Sequence, residues 1–231
     1  MSTGINTCEH LVIADTCSML DLVRGFTRSP RGAEDLQAAI ALQRFSADNP
    51  DRLVIAICEP STSEFDRHFD ETVDEVERHL RRLDDALRAA HDVSTELAVG
   101  SLMFQNAAWA RELAEAVADA GQDFFDNAAR LSEVQRDKDG ADARVQQCTA
   151  PAQRGANSYV DCKIVECVLR TASDRQGAST FFLSSNTKDF GTSGSPRPPL
   201  DKQFDAAGVK FLNNWYALRG QLRSQQYGIP V

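Results

Sequence analysis

The chain has 231 residues, a formal net charge of −9 and a 42% share of hydrophobic residues. That length gives one large domain or two small ones, with enough apolar residues to bury a core, so a disulfide-stapled miniprotein and a disordered tail are both excluded. Residues 1–60 carry 5 basic and 8 acidic side chains, residues 61–150 carry 10 and 20, and residues 151–231 carry 10 and 6. The acidity therefore sits in the middle of the chain, and the asymmetry points to a charged partner for one face.

The run HLVIA at 10–14 is short, apolar and β-branched, and predicts a buried strand that ends at Asp15-Thr16. Ala33, Leu36, Ala39, Ile40 and Phe45 recur at helical spacing over 33–47, and RLVIAIC at 52–58 predicts a second buried strand. Glu59-Pro60-Ser61 breaks that strand, with Ser61 or Ser63 placed to cap a helix. Phe69, Val73, Val76, Leu80, Leu83, Leu87 and Ala90 then alternate at spacings of four and three. Three heptads predict an amphipathic helix with a narrow seam, suited to a helical hairpin or to a second copy of the chain.

Further helices are expected at 104–120 and 122–135, separated by Gly121, with a polar loop at 136–156. A helix carrying Tyr159, Ile164, Val165, Val168 and Leu169 follows. STFFLS at 179–184 predicts a third buried strand running into SNTKDF, 191–199 reads as a Gly/Ser/Pro loop, and GVKFL at 208–212 predicts a last strand. Strands alternating with helices predict an α/β sandwich with a parallel sheet. Cys8, Cys17, Cys58, Cys148, Cys162 and Cys167 form no CxxC pair and no zinc spacing, so reduced thiols in a cytoplasm are expected. No signal peptide and no membrane partner are expected, because no apolar run approaches the ~20 residues that span a bilayer.

In open parallel sheets the functional crevice lies beyond the carboxyl ends of the strands. Asp15 follows the first strand directly and Asp189 follows STFFLS by a few residues. Glu64 is expected in the first turn of the helix after the second strand, and Asp161 early in the helix before the third. Four acids from four segments repel one another unless a cation joins them, and hard oxygen ligands select Mg²⁺ or Mn²⁺ over zinc. Acids at strand ends and helix starts also serve simply as caps, which is the competing reading of each one taken singly. No GxGxxG or GxxxxGK[ST] loop occurs, and Asp15-Thr16-Cys17 lacks the second acid of a phosphoaspartyl DxD pair.

LVIADTCSML, Glu64 after the second strand, SYVDCKIVECVL and FFLSSNTKDF together resemble a PIN domain. The resemblance covers about residues 10–68 and 155–215, with 69–150 as an enlarged helical insertion in a single domain over 1–231. It implies a three-layer α/β/α sandwich with a mainly parallel sheet, and a metal-dependent nuclease acting on nucleic acid, most simply an endoribonuclease on RNA. It also implies that Asp15, Glu64, Asp161 and Asp189 bind one or two Mg²⁺ or Mn²⁺ ions. Ser185 matches the family's small hydroxyl residue, and Thr16, Asn186 and Glu166 are placed to support the ligands or the substrate. The chain departs from the family pattern at Cys17 and at Thr187, where an Asp is usual, so the fourth acid moves to Asp189. Arg24, Arg28 and Arg31 after the first motif, and Lys188, Arg197 and Lys202 around the last, are candidate phosphate contacts. The alternative is an inactive PIN-like protein whose acidic insertion binds a partner protein or a second copy; a toxin held by an antitoxin is a context for the active form.

Overall fold

The structure is a computed structural model and describes residues 3–97, 108–153, 158–175 and 178–224. A short helix, α1 (Thr3–Thr7), leads into β1 (His10–Ala14), α2 (Thr16–Arg28), α3 (Gly32–Asp48) and β2 (Leu53–Cys58). The chain continues through α4 (Glu59–Glu96), α5 (Trp109–Asn127), β3 (Ala129–Leu131), α6 (Gln135–Gln147), α7 (Tyr159–Asp174) and β4 (Ser179–Leu183). A four-residue helix α8 (Thr187–Phe190), the small hairpin β5 (Gly191–Thr192) and β6 (Ser195–Pro196), α9 (Leu200–Ala207), β7 (Val209–Leu212) and α10 (Trp215–Ser224) complete it.

Five strands form one sheet in the order β3-β2-β1-β4-β7, and every pairing in it is parallel. The expected α/β/α sandwich is therefore present. Successive residues of its strands serve opposite faces, as the pleat requires. Val12, Ala14, Ile55, Ile57, Phe181 and Leu183 pack with helix residues including Leu22, Leu42, Phe65 and Trp215. Leu11, Ile13, Ala56, Cys58 and Phe182 pack on the other side with Ile164, Val168, Leu200 and Phe204. Each fully buried Phe of these two cores contributes about 1.5–3 kcal/mol through surface removed from water. β1 is central, and the chain builds β2 and β3 outward on one side before returning to place β4 and β7 on the other. The strand order reverses between β1 and β4, and the register carries Ala14 and Leu183 to that point as direct neighbours.

Several elements depart from the sequence-based expectation. The helix after β2 begins at Glu59, not after Pro60: Pro60 occupies the first turn, where its missing N–H is no loss, and Cys58 is the cap residue. Glu64 consequently lies in the second turn. The helix runs unbroken for 38 residues, so the insertion starts inside an element of the sheet core. Its apolar seam packs against α5 and α2 through Val76, Leu80, Ala110, Ala114, Val117 and Val23, while Leu83 and Leu87 remain exposed.

Gly121 does not separate two helices but lies within α5, where a Cβ would come within 2.4 Å of Val23 Cγ2. It lets α5 approach α2. The part of the expected helix at 104–107 lies outside the described residues. The segment expected as a loop at 136–156 contains α6, which has little apolar periodicity and is held to α7 by ion pairs as well as by a small cluster of Ala141, Val145, Tyr159 and Cys162. Buried Arg144 pairs with Glu166 at 2.5 Å, and buried Asp137 takes two hydrogen bonds from Arg170, at 2.9 and 3.0 Å. β3, α9 and α10 were not foreseen, and the 191–199 loop contains the β5–β6 hairpin. Among the described residues no helix is long and apolar enough to cross a membrane.

Candidate functional site

Asp15 stands at the reversal point, one residue past β1. Its amide donates to the Leu183 carbonyl at 3.0 Å, and its side chain caps α2 by accepting from the Ser18 amide at 2.9 Å. Asp is favoured there because it satisfies an orphan N–H and faces the positive end of the helix dipole. The other carboxylate oxygen accepts a hydrogen bond from the Ser184 hydroxyl, at the end of β4. Asp15 is only 1% exposed. Burial pushes its carboxyl up to about 7 against the pull of the two hydrogen bonds, and the charges of Glu64 and Asp21 add to the rise.

The other three acids lie near enough for their charges to act on one another. Asp161 lies in the first turn of α7, and its carboxyl is pushed up to about 8, first by burial and then by the charges of Asp15, Glu64 and Asp189. Glu64 accepts a hydrogen bond from the Thr16 hydroxyl at 2.7 Å, which ties α4 to the start of α2. Asp189 is oriented by Asn186, whose side-chain amide donates to Oδ2 at 2.9 Å and whose Oδ1 accepts from the Asp189 amide at 3.3 Å. Cys17 is enclosed by this charge: burial raises its thiol, and Asp15, Asp161, Glu64 and Asp21 raise it further. A thiol so placed is a poor nucleophile.

Ser184 and Ser18 are the residues that sequence reasoning missed. The Ser184 hydroxyl holds Asp15 and accepts from the Asn186 amide at 3.1 Å; the Ser18 hydroxyl accepts from the Ser185 amide at 3.0 Å. Ser185 thus joins the site through its backbone, while the hydroxyl on Asp15 belongs to its neighbour. Two consecutive serines after a buried strand were the available signal. Glu166 is placed apart from Asp161 by five residues, about 140° around α7, and is engaged by Arg144.

The expected basic residues divide. Arg24 pairs with Asp21 at 2.9 Å, and Arg28 makes a forked pair with Glu75 at 3.0 and 2.8 Å. Arg28 and Arg31 line a cleft of about 350 Å³ whose far wall includes Ser185, Asn213 and Tyr216, the last 52% exposed. Lys188 and Lys202 are exposed, and Arg197 is half-buried beyond the β5–β6 hairpin.

Among the described residues no three His, Cys, Asp or Glu side chains stand close enough together to hold one metal ion. The four acids offer carboxyl oxygens, donors that in chemistry suit a hard divalent cation, although burial leaves Asp15 and Asp161 holding protons near neutrality. The fold defines a three-layer α/β/α protein with a buried carboxylate, Asp15, at its topological switch point and further acids close enough to act on it. No protein-family model matches the chain, and no curated protein or solved structure does.

Proposed function

We propose that the chain is a PIN-like, metal-dependent nuclease, an endoribonuclease in which Asp15, Glu64, Asp161 and Asp189 bind Mg²⁺ or Mn²⁺. The observation that supports this reading is that Asp161, in the first turn of α7, lies near enough to Asp15, Glu64 and Asp189, from three other segments, for their charges to raise its carboxyl. Burial first, and then the charges of the other three, raise Asp161, so without a cation it keeps its proton near neutrality, and a divalent cation would compete with that proton. A divalent cation bound there supplies an acidified water and offsets the charge that builds on phosphorus.

The chain's own residues set the frame for that chemistry. Ser184 and Ser18 fix the Asp15 carboxylate in one orientation, Thr16 steers Glu64, and Asn186 steers Asp189. Arg31, which lines the adjoining cleft beside the Arg28–Glu75 pair, would meet phosphates of the strand. Thr187 holds the position where the family usually has an acid, which is what favours the second reading, an inactive relative that acts by binding a protein.

Calorimetric titration with Mn²⁺, paired with cleavage of a labelled RNA, tests the proposal. Binding and cleavage that are lost together in Asp15→Asn and Asp161→Ala, with the fold intact by circular dichroism, support the nuclease. Equal cleavage by Asp15→Asn and wild type, or no Mn²⁺ binding by wild type, refutes it and returns the chain to the interaction reading.

A further inference from the structure

Helices α2 and α4 run side by side in the same direction. Thr16 meets Glu64 at one end and Arg28 meets Glu75 at the other, so 12 residues of α2 match 11 of α4. At 1.5 Å per residue, the Arg28 end lies about 18 Å from the acidic pocket. There Thr27, Arg28, Glu75, Arg78, His79 and Arg82 line a second cavity of about 420 Å³. Arg78 and Arg82 are one helical turn apart and exposed, and among the described residues neither has an ion-pair partner. Their neighbours differ in this respect, since Glu77 neutralises Arg81 and Asp84 neutralises Arg88. In a region as acidic as residues 61–150, this face of α4 is a local exception in sign.

We propose that Arg78 and Arg82, beside the Arg28–Glu75 pair, grip the backbone phosphates of an RNA strand several nucleotides away from the bond held at the acidic site. Arg28 lines both this cavity and the cleft that reaches Ser185, so the two depressions share a wall. A free phosphate or mononucleotide can occupy only one of them. A polynucleotide can occupy both. Guanidinium groups suit this task because their forked donors match phosphate oxygens in pairs. Counterions released from each neutralised phosphate make such a grip strongly salt-dependent. The inference rests on the nuclease reading and adds to it a preference for long substrates.

The test uses the full chain with Arg78→Gln and Arg82→Gln combined, both at exposed positions, and with Lys at both as the charge-retaining control. Cleavage with Mn²⁺ is compared on an RNA of about 20 nucleotides and on a trinucleotide too short to span about 18 Å and enter the second cavity. The kcat/KM advantage of the long RNA should shrink about tenfold in the Gln variant and survive in the Lys variant. In an Asp15→Asn background, the slope of log Kd against log salt for the long RNA should fall by about 1.4, the loss of two single-strand phosphate contacts. An unchanged length advantage and salt slope, with wild type still cutting, overturns this inference alone. If wild type cuts nothing but binds long RNA through Arg78 and Arg82, the nuclease reading fails and the grip stands. If it neither cuts nor binds RNA, both fail.

Discussion

Ser184 and Asp15 join the ends of the two central strands: the Ser184 hydroxyl donates to the Asp15 carboxylate across the point where strand order reverses. The bond does two things. It locks β1 and β4 together beyond their last ladder pair, and it supports the charged form of a carboxyl that burial otherwise disfavours. Ser184→Ala should therefore cost about 1.5–3 kcal/mol near pH 8, where Asp15 is ionised, because a hydrogen bond to a charged group is lost. Near pH 5 Asp15 is neutral and the loss should be smaller. Urea denaturation at the two pH values measures the difference.

The metal-free protein should be most stable on the acid side of neutrality. Asp15 and Asp161 have folded values of about 7 and about 8, above the ordinary 3.8. A raised carboxyl holds its proton in the folded state after the unfolded chain has released it, so stability falls as pH rises from about 4 to about 8. For Asp15 alone the loss is at most about 4 kcal/mol over that window, taking ~1.4 kcal/mol per tenfold change. Thermal melts should show Tm falling with pH, and Mn²⁺ should raise Tm more near pH 8 than near pH 5.5, where protons compete for the same oxygens.

Asp161→Asn should separate stability from activity. The amide keeps the shape and removes the charge that Asp15, Glu64 and Asp189 oppose, so the metal-free variant should melt higher than wild type near pH 8 and cleave no RNA. A lower Tm would mean that Asp161 supports the fold rather than straining it.

Glu166 answers to Arg144, not to the acidic pocket. Arg144 is 5% exposed and donates to Glu166, the Ala150 carbonyl and Gln203. Arg144→Ala leaves the Glu166 carboxylate without its counter-charge and should cost about 3–5 kcal/mol. Glu166→Gln should cost less, about 1–3 kcal/mol, and leave Mn²⁺ affinity within about twofold, which calorimetry on the two variants would show.

Two glycines permit close helix contacts and should differ in tolerance. A Cβ at Gly32 would come within 2.1 Å of the Gly25 backbone, whereas one at Gly121 would meet the side chain of Val23 at 2.4 Å. Gly121→Ala should cost about 1–3 kcal/mol as Val23 repacks. Gly32→Ala should cost more, since backbone cannot turn aside, and should open the cleft that Gly32 and Arg28 line.

The buried strands were legible because a parallel sheet covered on both faces demands unbroken apolar runs, and HLVIA, LVIAIC and STFFL supply them. The place of Asp15 was legible for a related reason: a carboxylate directly after such a run lies at the carboxyl end of its strand. Asp15 illustrates the limit, since its partner Ser184 is recognisable only once β1 and β4 are known to be neighbours. α6 was illegible because its apolar contacts are few, Ala141 and Val145 on Cys162 and Tyr159, and polar pairs, Asp137 with Arg170 and Arg144 with Glu166, carry much of the rest. Gly121 misled because the same residue that ends helices also lets them touch. Pro60 misled because a proline that stops a strand can equally start a helix.

The unbroken course of α4 sets where the chain can be cut. At 1.5 Å per residue its 38 residues form a rod of about 57 Å, and Glu64 belongs to the same hydrogen-bonded ladder as the distal arginines. Trimming the insertion at residue 69 would leave Glu64 in a fraying last turn, without the contacts of Val76 and Leu80 that anchor the rod. A minimal version of this protein must keep the stem through Leu80 and close it there.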